Sequence, residues 1–173
     1  MKTKILSRQA LEELAKEPFA PNTAVISITD SDAGDVRLRH APDALLRLKF
    51  DDVSAGIFTQ CLGRKPSVME MRQLERRFRM LSQGQARQIA EFVLKNTEKN
   101  LLCQCEHGES RSAAVAAAVE EFFHRRGVTV FADERYYPNK WVYRLVLLAL
   151  RNRKTASVQN NGQLTAYNDA TTK

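Results

Sequence analysis

The run "LLCQCEHGESRSAAVAAAVEEFF" constrains the chain more than any other. A short apolar segment rich enough for a buried strand meets, after a loop holding one glycine, a long alanine-rich segment with helical character. Between them lie Cys105, Glu106, His107, Gly108, Glu109, Ser110, Arg111 and Ser112. At such a strand-to-helix junction successive backbone N–H groups lack helical partners and the helix dipole points its positive end outward, so the loop is suited to anions. Gly108 permits a backbone conformation other residues resist, and Arg111 supplies a planar fork that can hold two oxygens of an oxyanion. Cys105 opens the loop, where the helix end and the arginine both favour thiolate over thiol, giving a candidate nucleophile.

The remainder of the 173-residue chain reads as one globular unit. "SRQALEELAKE" offers Ser7 as a helix cap, "TAVISITD" a buried strand and "ALLRLKF" a second strand that ends in Asp51 and Asp52. Residues 53 to 82 form a basic excursion over the body, helical from Ser67 to Met80. "SQGQARQIAEFVLKN" predicts an amphipathic helix with Ala86, Ile89, Ala90, Val93 and Leu94 inward. The alanine-rich helix is expected to run from Ser112 to a stop at Gly127, followed by a short apolar piece, "VTVFA". Pro138 and Asn139 then introduce a final, largely buried helix, "KWVYRLVLLALR". This alternation predicts an α/β domain over residues 1–152 with a central, mostly parallel sheet flanked by helices, and a disordered polar tail over 153–173.

Composition narrows the setting. With 43% hydrophobic and 27% charged residues, and no apolar run near the roughly 20 residues needed to cross a bilayer, no membrane span is expected. The N-terminus breaks into polar residues before a signal region develops, and three cysteines at no framework spacing argue for a cytoplasmic chain with reduced thiols. The net charge of +7 favours anionic partners, among them phosphoprotein, phosphoinositide and nucleic acid. Oligomeric state is not legible.

Cys105, Gly108, Arg111 and Ser112 match the C-x-x-G-x-x-R-S signature of the cysteine-dependent protein tyrosine phosphatases, and the chain resembles their compact dual-specificity-like branch over roughly residues 24 to 150. The resemblance implies a phosphatase-like strand, phosphate loop and helix core that needs no cofactor or metal. It implies that Cys105 attacks phosphorus while Arg111 and the amides of Glu106 to Arg111 hold the equatorial oxygens, and that Ser112 eases departure of the sulfur. It also implies an upstream aspartate as general acid: Asp52 is preferred, with Asp51 the alternative. Two departures stand out. Gln104 occupies the place where the family usually has histidine, and some 50 residues separate the aspartate pair from Cys105.

Other residues read more plainly. Cys103 is expected in the core and Cys61 has no assigned role. The string Cys103, Cys105, His107 lacks the spacing and fourth ligand of a zinc site. His107 is expected at the substrate mouth, Glu106 and Glu109 in solvent, and Tyr136, Tyr137 and Trp141 against the sheet. Arg64, Lys65, Arg72, Arg76, Arg77 and Arg79 read as a solvated helix face that would attract a polyanion if it has a role. The resemblance thus admits a phosphatase for protein tyrosine and also serine or threonine, one for RNA 5′-phosphates or phosphoinositides, or a catalytically weak phosphate-binding module.

Overall fold

The computed structural model describes residues 1–153. Its centre is a four-stranded sheet built from β1 (Thr3–Leu6), β2 (Thr23–Thr29), β3 (Ala44–Lys49) and β4 (Asn100–Gln104), in the order β1-β4-β2-β3. Every pairing is parallel, with Ile26 beside Cys103 and Ser27 beside Gln104 at the centre. β2 is buried along its whole length, which accounts for its unbroken run of small and branched residues. β1 was not legible as a strand. It lies at a sheet edge and is only four residues long, with Leu6 its one fully buried residue and Lys4 exposed, so it shows no continuous apolar run.

Around the sheet stand α1 (Arg8–Leu14), α2 (Ala55–Leu62), α3 (Val68–Arg77), α4 (Gln83–Lys95), α5 (Arg111–His124), α6 (Gly127–Phe131) and α7 (140–153). Ser7, Ser67 and Ser82 each accept a backbone N–H at a helix start, and the last two complete capping boxes with Glu70 and Gln85. Ala86, Ile89, Ala90 and Val93 of α4 are buried, as the spacing predicts, while Leu94 is partly buried. The basic excursion is two helices, joined at Gly63, whose left-handed φ of +64° ends α2.

Two boundaries differ from the sequence expectation. α5 ends at His124 and its left-handed cap is Arg125, so Gly127 does not stop it but begins α6, formed by most of the segment read as a short apolar piece. Gly127 is required there by contact: a Cβ would fall 2.7 Å from the Ala117 carbonyl oxygen. The final helix is still regular at residue 153, and the rest of the expected tail, 154–173, lies outside the described residues.

The alanine content of α5 follows from its position. Residues Arg111 to Val119 are all buried, so the helix has no solvent face over more than two turns and lies between the sheet and its neighbours. Small side chains let those backbones approach, and larger ones would have to displace them. Ala116→Leu is therefore expected to destabilise the fold by about 1–3 kcal/mol, read as a lower urea midpoint with unchanged slope.

Candidate active site

Parallel pairing brings the carboxyl ends of all four strands to one side of the sheet. Ser7 follows β1, Asp30 follows β2, Phe50, Asp51 and Asp52 follow β3, and Cys105 follows β4. The loop from Cys105 to Ser110 lies among them and leads into α5.

Cys105 is buried, with its Sγ 3.0 Å from the Ser112 Oγ. Arg111, whose side chain is only 4% exposed, turns its guanidinium back under the loop. Its Nη1 donates to the Phe50 carbonyl at 2.7 Å and lies 2.6 Å from Asp30 Oδ1. Its Nε has no hydrogen-bond partner although it is fully buried, and stands 4.0 Å from Asp52 Oδ2. One edge of the guanidinium is thus anchored through Nη1, while the Nε edge makes no hydrogen bond among the described residues. None of the hydrogen bonds among the described residues takes the backbone N–H of His107, Gly108, Glu109 or Ser110. Ser110 makes no side-chain cap at the start of α5, so these donors retain their anion-binding capacity.

The two aspartates of the pair part company. Asp52 reaches the loop: its Oδ1 accepts from Ser110 Oγ at 2.9 Å and from Asn139 Nδ2 at 2.8 Å, and about a third of the side chain meets solvent. Asp51 instead accepts from the amide and hydroxyl of Ser31, at 2.9 and 2.6 Å. Burial works to raise the Asp51 carboxyl, but the Ser31 hydrogen bonds and the charges of Arg79 and Arg111 outweigh it, and the group lies below its ordinary value.

Several neighbours are not where the sequence suggested. Glu106 is not a free solvent-facing carboxylate: Arg8 Nε bonds both of its oxygens, at 2.9 and 3.1 Å, and the Arg8 amide donates to the Glu106 carbonyl. His107 and Glu109 are exposed. Gly108 adopts φ +77° and is pressed against β1, where a Cβ would lie 2.6 Å from the Ser7 nitrogen. Tyr137 is exposed and does not pack on the sheet, whereas Trp141 packs on the core and donates from Nε1 to the Leu81 carbonyl.

Three contributors were missed at the sequence level. Asp30 had a signal, an acidic residue closing a buried strand. Asn139 was visible only as a helix start; its Oδ1 does accept from the Trp141 and Val142 amides, while its Nδ2 holds Asp52. Arg8 carried no local signal.

Gln104 is wholly buried and accepts from Ser27 Oγ at 2.7 Å across β4 and β2. Cys103 lies in the core, where burial, with the nearby Cys105 and Glu120, pushes its thiol far up and keeps it protonated. Among the described residues no three His, Cys, Asp or Glu side chains converge with metal-binding geometry.

Solved structures were found with a similar fold. PTPMT1 in complex with PI(5)P shares 10% identity, with 90% of this chain and 94% of that chain covered and a TM-score of 0.51. Human DUSP28 shares 16% identity over 89% of this chain and 94% of its own, with a TM-score of 0.46. Tk-PTP in the active form shares 16% identity over 87% and 90%, also with a TM-score of 0.46. The chain has the cysteine-dependent phosphatase fold. At these identities the likeness is one of fold. No family model and no curated protein sequence matches the chain.

Two outcomes follow from the geometry. Gly108→Ala, strained in φ and driven into the Ser7 backbone, is expected to cost about 2 kcal/mol or more in a denaturant titration. Asp51→Asn should lower stability at neutral pH. A carboxyl held below its ordinary value of 3.8 stabilises the fold above that pH, so the deficit should close as pH falls through the depressed value, measured by melting temperature against pH.

Proposed function

We propose that the chain is a cysteine-dependent phosphomonoesterase acting on phosphorylated protein side chains, phosphotyrosine foremost and phosphoserine or phosphothreonine with it. The observation that carries the reading is the Arg111 guanidinium, anchored through Nη1 and unpartnered at buried Nε, following directly on the unused amides of His107 to Ser110 in the loop after Cys105. Those donors suit the equatorial oxygens of a phosphoryl group, and their preorganisation favours the transition state.

In the first step the Cys105 sulfur forms a bond to phosphorus as the ester P–O bond breaks, and Asp52 gives its proton to the departing oxygen. In the second, water attacks phosphorus while Asp52 takes a proton from it, and the S–P bond breaks. Ser112, 3.0 Å from the sulfur, donates to it as it leaves. Asp30 orients Arg111, and Ser110 with Asn139 orients Asp52; these are positioning residues.

A second reading keeps this chemistry and changes the ester to a phosphoinositide headgroup. It is favoured by the PI(5)P bound to PTPMT1 in the structural neighbour described above. A phosphate-binding module without turnover is the third.

Hydrolysis of an aryl phosphate in the presence of a chelator tests the proposal. Cys105→Ser and Arg111→Ala are expected to abolish turnover, and Asp52→Ala to depress it roughly 10²–10⁴-fold. Turnover by Cys105→Ser equal to the parent would exclude the covalent route, and an inactive parent that binds phosphopeptide would favour the binding module. Relative kcat/KM on phosphotyrosyl peptide and on phosphoinositide micelles decides between the first two readings.

A further inference from the structure

The excursion between β3 and α4 is built differently from the rest of the molecule. α3 buries none of its residues fully, and Phe58 is the one fully buried residue in α2 whose side chain is described. Phe58 and Phe78 meet with ring centroids 5.0 Å apart, holding the two helices together near their base. Apolar residues elsewhere on the hairpin face outward: Val68 is 75% exposed, Met69 73%, Ile57 53% and Leu62 47%. A helical hairpin folding only for its own stability would turn these side chains inward, since singly exposed aliphatics are ordinary but four on one short pair of helices are not.

Charge is concentrated on the same hairpin. Residues 55–79 carry six arginines and lysines against two glutamates, in a chain whose whole net charge is +7. Glu70 is committed to Arg64, with a 2.7 Å contact, and burial raises the Glu75 carboxyl. Val68, Arg72 and Arg76 fall at four-residue spacing on one stripe of α3, with Met69 beside it. Arg79 continues the basic character to the site's margin, where its Nη1 donates to the Ser31 hydroxyl that also holds Asp51.

We propose that this hairpin is a docking surface for an anionic lipid bilayer: Leu62, Val68 and Met69 enter the headgroup boundary while Lys65, Arg72 and Arg76 meet acidic headgroups. The occupant follows from the chemistry. Aliphatic side chains standing in solvent and interleaved with long cationic ones match an interface that is apolar below and negatively charged above. No helix among the described residues is long and apolar enough to cross a membrane, so the association would be peripheral. The inference goes beyond the proposed hydrolysis and does not depend on it.

The test is sedimentation of the full chain with phosphatidylcholine vesicles, with and without phosphatidylserine, in low and raised salt. Binding is expected only to the serine-lipid vesicles and should weaken with salt. Val68→Ser with Met69→Ser, and separately Arg72→Gln with Arg76→Gln, should each weaken it by about tenfold or more. Both double variants should keep the parent's melting temperature and its hydrolysis of soluble aryl phosphate, so failure here is distinguishable from failure of the phosphatase reading. Absence of binding to the acidic vesicles, or parental binding by either variant, would overturn the proposal. So would a preference for soluble polyglutamate that is indifferent to Val68 and Met69, which would indicate an acidic protein partner.

Discussion

Everything near the site is arranged around one buried positive charge. Removing a guanidinium from water costs on the order of several kcal/mol unless charge and hydrogen bonds replace its hydration. Arg111 obtains a carboxylate from the end of β2, a carbonyl from the end of β3 and a more distant carboxylate from the next turn of chain. They come from the segments after β2 and after β3, so the arginine of α5 ties those two strand ends together. Its Nε makes no hydrogen bond among the described residues.

The all-parallel sheet is what makes this convergence available. An antiparallel neighbour would send one strand end to the far side, whereas here β2, β3 and β4 end together beneath the N-terminus of α5. Asp30, directly after β2, and Asp52, three residues after β3, are thereby both brought to Arg111. Adjacent aspartates acquire different surroundings because the chain reverses through them: Asp51 is drawn to Ser31 and Asp52 to Ser110.

Features carried by neighbouring residues were legible in the sequence, and features carried by distant pairs were not. The strand, loop and helix from Leu101 to Val119 were readable because apolar period, glycine and arginine lie within a few turns of one another. The placement of Asp52 beside the loop was suggested by family resemblance, and its partner Asn139 lies 87 residues away. Arg8 and Glu106 are 98 residues apart, and nothing local in "SRQAL" announces their pairing. β1 went unread because a four-residue edge strand with an exposed lysine lacks the apolar density of β2. α6 went unread because five residues are too few to display a helical period, and Gly127 signals a stop as readily as a tight contact.

The brace that β1 and α1 give to the loop has a consequence for assembly of the chain. Leu6 accepts from the Cys105 amide, Arg8 clasps Glu106, and Gly108 nestles against the Ser7 backbone, so the first eight residues form the outer wall of a loop that begins nearly a hundred residues later. Closing so wide a span draws heavily on chain entropy, and such contacts form late relative to local ones. During synthesis the leading segment must therefore wait for β4 to emerge, and the loop acquires its curvature only when both ends of that span have met.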